Sequence, residues 1–154
     1  MMQKKKKYII QQIQPLLDKI FIQYNQKADS KDLYLNTVKT DATAVFDEKW
    51  TLEALCNIVD NAIKYTVTGG ISINVIVYEF FVRIDISDTG IGISDNEHEK
   101  VFSRFYRSEK VNTTEGVGIG LYLARKIITG ENGYIKVSSL PEHGSTFSVF
   151  LSKL

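Results

Sequence analysis

The chain has little of several things, and each shortage narrows what it can be. One cysteine, Cys56, among 154 residues excludes an internal disulfide framework and predicts a reducing, cytoplasmic setting. Two prolines and ten glycines are too few for a fibrous or low-complexity chain. The formal charge of +1 gives no electrostatic case for nucleic acid or a membrane surface. Its one local excess, Lys4 to Lys7, reads as a solvated linker over residues 1–7. The basic start and Tyr8-Ile9-Ile10 are cut short by Gln11, Gln12 and Gln14, and no long uncharged stretch follows, so neither a signal peptide nor a membrane span is expected.

What is present is a globular composition, 44% hydrophobic and 24% charged, in a length suited to one core over residues 8–154. Ile9, Ile10, Ile13, Leu16, Leu17, Ile20 and Phe21 recur at helical spacing and predict a helix over about 8–25, bent at Pro15. Short strands are expected at Leu33 to Thr37 and Ala42 to Phe46, followed by a helix capped by Asp47 and running to about Thr66. Thr68-Gly69-Gly70 turns into a hairpin of Ile71 to Tyr78 and Phe80 to Ser87. Residues 88–116 read as a long loop, Val117 to Thr129 as a helix, and Tyr134 to Ser139 with Ser145 to Leu151 as a last hairpin. This order predicts an α+β sandwich, helices packed on one face of a mixed, largely antiparallel sheet.

Two glycine-spaced segments stand out, Asp88-Thr89-Gly90-Ile91-Gly92-Ile93 and Gly116-Val117-Gly118-Ile119-Gly120-Leu121. Glycine lets backbone approach a ligand closely, and the Asp88 carboxylate, at the end of an apolar strand, can accept a hydrogen bond from a base. A turn-capping aspartate is the plainer reading. The second run enters a helix whose free N–H groups favour phosphate oxygens, although its spacing fits neither the Walker loop nor the dinucleotide fingerprint.

On the helix from Asp47 to Thr66, Leu52, Leu55, Cys56, Val59, Ala62, Ile63 and Thr66 share a core face. Glu53, Asn57, Asn61, Lys64 and Tyr65 form the other stripe, which would ordinarily be a solvated face. Two asparagines one turn apart cost helix propensity, however, and their carbonyl oxygens suit Mg²⁺, with Lys64 one turn on to meet phosphate.

Taken together these segments resemble the catalytic ATP-binding domain of sensor histidine kinases. Glu53 to Thr66 looks like the N box of that family, Asp88 to Ile93 the G1 box, Val101 to Arg107 the F box and Gly116 to Leu121 the G2 box, and Gly144-Ser145-Thr146-Phe147 looks like its last hairpin. The resemblance implies the Bergerat ATP-binding fold shared with DNA gyrase and heat-shock chaperones. It implies that Asn61 coordinates Mg²⁺, that Asn57, Lys64 and Tyr65 line the phosphate or sugar region, and that Asp88 bonds the adenine amino group beside Gly90, Gly92 and Ile93. Arg107 and Arg104 would reach the γ-phosphate from a lid that also carries Phe102, hinged at Gly116, Gly118 and Gly120 and followed by Leu121, and Thr146 would join the nucleotide site.

Hydrolysing relatives carry a glutamate base where this chain has Asn57, which favours kinase chemistry. His98 and His143 read as surface residues, so the acceptor histidine is expected on a dimerisation domain absent from this chain, with a response regulator downstream. The implied chain is a monomeric, cytoplasmic domain, compatible with a homodimeric and membrane-attached parent. The competing reading is a nucleotide-binding interaction module of the same fold without kinase activity. An aspartic protease, suggested by Asp88-Thr89-Gly90, would leave Asn57, Asn61 and the second glycine run without roles.

Overall fold

The computed structural model describes residues 8–103 and 120–154. Among the described residues three α-helices, α1 (Gln14–Asp29), α2 (Glu48–Lys64) and α3 (Gly120–Gly130), pack on one face of a five-stranded sheet. Its strands are β2 (Tyr34–Asn36), β4 (Gly70–Val77), β5 (Phe81–Asp88), β6 (Tyr134–Ser139) and β7 (Ser145–Ser152), in the order β2-β4-β5-β7-β6. Only the β2–β4 pair is parallel, so the sheet is mixed and largely antiparallel, as the element order predicts. A separate ribbon pairs β1 (Ile9–Gln12) with β3 (Thr43–Phe46).

The central strands alternate strictly. Val82, Ile84 and Ile86 of β5, with Phe147, Val149 and Leu151 of β7, are buried under the helices. The intervening Arg83, Asp85, Thr146 and Ser148 are half-buried on the other face. Each fully buried Leu, Ile or Val side chain contributes about 1.5–3 kcal/mol through removal of apolar surface from water.

Helix α2 begins where Asp47, in extended backbone, accepts the Trp50 amide at 3.1 Å, a cap worth about 1 kcal/mol. Buried Glu131, just past α3, also serves that end, accepting the Asp47 amide at 3.2 Å and the Thr51 hydroxyl at 2.6 Å. Because α3 packs against α2, Thr51, Ala54 and Ile58 are buried along with Leu55, Cys56, Val59, Ala62 and Ile63. The buried face is therefore broader than the helical wheel implies.

The first helix requires correction. Residues 9–12 form a strand against β3, and the helix starts only at Gln14, with Pro15 in its first turn. Proline lacks an amide hydrogen that the first turn has no use for and arrives with helical φ, so Pro15 begins the helix rather than bending it. Helix α2 ends at Lys64, two residues short of the expected limit.

Candidate nucleotide site

The site is built where three segments meet at the end of β5. Asp88 is the last residue of that strand and pairs in register with Ser145 of β7. Its Oδ1 accepts the Gly90 amide at 2.8 Å and the Ser145 amide at 3.3 Å, while Oδ2 has no bonded donor among the described residues. Burial raises the Asp88 pKa above the ordinary carboxylate value, opposed by the amides of Gly90 and Ser145. A half-buried acceptor held rigidly by two backbone amides, with one oxygen still open, is suited to an amino group on a flat ring.

The loop after Asp88 is clamped on both sides. The Ile91 amide donates to the Tyr65 carbonyl at 3.3 Å, and the Glu142 amide donates to the Ile91 carbonyl at 2.6 Å. A Cβ at Gly90 would collide with the Tyr65 carbonyl. Gly92 combines φ of +74° with a backbone approach to Leu140 that leaves no room for a side chain. Ile93, partly buried against the core, donates its amide to the Ser139 hydroxyl at 2.6 Å.

On α2 the polar stripe is half-buried at Asn57, Asn61, Lys64 and Tyr65, and only Glu53 is exposed. Buried Nδ2 of Asn57 has no hydrogen-bond partner among the described residues, an orphan that normally costs about 1–3 kcal/mol. Gly120, the first residue of α3, lies beside the Asn57 side chain, so the start of α3 and the asparagine stripe adjoin. The Asn61 side chain is not engaged by any described residue. Lys64 pairs with Asp60 at 3.5 Å. Among the described residues no three His, Cys, Asp or Glu side chains converge, so protein ligands to a divalent ion here would be amide oxygens.

Three expected site residues face elsewhere. Phe102 is buried, edge-on to Phe147 at 5.9 Å and beneath the Arg125 guanidinium at 4.5 Å, so its ring belongs to the core. Leu121 is likewise a core residue. Thr146 bonds Ser87 at 2.8 Å on the sheet face away from Asp88, because neighbouring strand residues point to opposite sides. The residue beside Asp88 is Ser145, which is buried and was missed because its place depends on strand register. Arg104, Arg107, Gly116 and Gly118 lie outside the described residues. His98 is partly buried, its ring bonded to the Ile93 carbonyl at 3.1 Å. Cys56 is a buried thiol pushed up to about 11 by burial and then by Glu53, which makes it unreactive at neutral pH.

An α+β sandwich with a clamped glycine loop, an open carboxylate at the sheet end and an amide stripe on the adjoining helix defines a nucleotide-binding class of domain. Residues 46–154 match the family model described as histidine kinase-, DNA gyrase B-, and HSP90-like ATPase, and the chain belongs to that family, in its histidine kinase branch. It is 36% identical over 139 residues to the adaptive-response sensory kinase SasA of Microcystis aeruginosa, a match covering 88% of this chain and 36% of SasA. The chain thus spans about a third of that relative's length. Its fold superposes on the nucleotide-free catalytic domain of histidine kinase ThkA with a TM-score of 0.82 at 26% identity, covering 96% of each chain. Full-length ShkA in complex with AMPPNP gives a TM-score of 0.86 at 21% identity, covering 96% of this chain and 31% of ShkA. Among the described residues no helix is long and apolar enough to cross a membrane.

Proposed function

We propose that residues 8–154 bind Mg-ATP and transfer its γ-phosphoryl group to a histidine on a phosphoacceptor domain of a longer parent kinase, with residues 1–7 as a basic linker. The observation that carries this reading is Asp88, whose Oδ1 is fixed by two amides while Oδ2 stays open to the exocyclic amino group of adenine. The asparagine stripe supports the other end of the nucleotide. Asn61 offers a neutral oxygen for Mg²⁺. The unpartnered Nδ2 of Asn57 offers a donor to phosphate or ribose oxygen. Bound Mg²⁺ would neutralise charge on the phosphates, and Lys64, Tyr65, Gly118 and Gly120 would complete that region.

In the transfer, a neutral imidazole nitrogen attacks the γ-phosphorus in line, a P–N bond forms, the bond to the β–γ bridging oxygen breaks, and ADP leaves. Arg107, with Arg104, would stabilise the charge on the transferring group. Asn57 cannot take a proton from water, which disfavours hydrolysis as the competing outcome. The test mixes the chain with a purified histidine-bearing acceptor domain and γ-labelled ATP. Label is expected on the acceptor only with Mg²⁺ present, and none on this chain alone. Tight ATP binding without transfer to any acceptor would leave a nucleotide-dependent interaction module instead.

A further inference from the structure

Ser139, the last residue of β6, lies outside every glycine or asparagine motif, yet its hydroxyl joins three segments around Asp88. It accepts the Ile93 amide at 2.6 Å, contacts the Gly144 carbonyl at 2.8 Å, and contacts the Ser145 hydroxyl at 2.9 Å. Counting protons fixes the direction of each bond. A hydroxyl has one proton to give, a carbonyl can only accept, and an amide can only donate. Ser139 therefore spends its proton on Gly144, and in the remaining contact Ser145 must be the donor. The Ser145 proton is then committed away from Asp88, and its oxygen presents lone pairs only.

The geometry points to Ser139 as a positioning residue for base specificity. By holding the Ser145 proton, it leaves both oxygens at the end of β5 and the start of β7, Asp88 Oδ2 and Ser145 Oγ, as acceptors, a pair that accepts a 6-amino purine and repels a 6-oxo purine. This rests on the nucleotide reading above and assigns a residue to it that no motif contains.

Binding of ADP and IDP, which differ at this purine edge, tests it by calorimetry. The wild-type chain should prefer ADP. In Ser139→Ala the Ser145 hydroxyl is free to rotate and donate to a 6-oxo group, so the ADP-over-IDP preference should fall by about fivefold or more, the worth of one net hydrogen bond. Ser139→Thr, which keeps the hydroxyl, should restore the preference. Ser145→Ala should lower it too, and adding Ser139→Ala on that background should change nothing further. Equal weakening of ADP and IDP in Ser139→Ala would reduce Ser139 to a loop prop and overturn the proposal. If that variant does not fold, equal weakening in Ser145→Ala is the refuting result. A wild-type chain that does not distinguish ADP from IDP would overturn the Asp88 base reading as well, so the two failures are distinct.

Discussion

Replacing Asp88 with asparagine separates the two things this residue does. The carbonyl of the introduced amide can keep the bonds from the Gly90 and Ser145 amides, so the loop should hold its shape. The open oxygen becomes an NH₂ group, and a donor then faces the amino group of the base. Loss of a hydrogen bond to a charged acceptor costs about 1.5–3 kcal/mol, or roughly 10- to 150-fold in Kd for ADP. Stability should move the other way. Burial raises the Asp88 pKa, so the folded chain holds this proton more tightly than the unfolded one. The ionised carboxylate thus costs stability in full above its folded pKa, and the cost is relieved as pH falls through that value. At neutral pH the nucleotide-free variant should melt above the wild type, with the gap closing on acidification. Calorimetric titration with ADP and melting curves at pH 7 and in acid measure both. Unchanged ADP affinity would refute the base-side assignment, and a variant that melts lower at pH 7 would refute the desolvation argument.

Two further changes probe other parts of the chain. Asn61→Ala should weaken nucleotide binding by about tenfold with Mg²⁺ present and little in EDTA, measured by titration in both buffers, since only a ligand to the ion loses its role when the metal is removed. Glu131→Ala should lower the urea midpoint by an amount corresponding to about 1–3 kcal/mol, because the buried Asp47 amide and Thr51 hydroxyl lose their shared acceptor at the start of α2.

What could be read from the sequence, and what could not, follows the range of the interactions involved. The Asp47 cap is local, a side chain meeting a backbone amide three residues on, and it sits where the sequence places it. Strand β6 begins and ends where alternation and Gly133 indicate. Strand β1 was hidden because Ile9, Ile10, Ile13, Leu16 and Leu17 fit a helical period, while its actual partner, β3, lies more than thirty residues away. Pro15 carried the signal, being at home in a first turn and costly inside a helix. Thr146 and Ser145 differ only in parity, and parity is set by the Asp88–Ser145 register, a contact between strands distant in sequence.

The same distinction explains why the glycines were conspicuous and their anchors were not. The loop after Asp88 is clamped through backbone groups by Tyr65 at the end of α2 on one side and by Glu142 in the β6–β7 turn on the other. Such a clamp asks little of the clamping side chains, because any residue supplies a carbonyl or an amide. It asks a great deal of the clamped positions, where a Cβ at Gly90 or Gly92 would meet the Tyr65 or Leu140 backbone. The constraint is therefore written as missing side chains in the loop, while the partners that impose it remain chemically ordinary. Ser139, by contrast, works through its side chain, as His98 does at the Ile93 carbonyl, and its hydroxyl is the point where this backbone clamp can influence the chemistry of the base pocket.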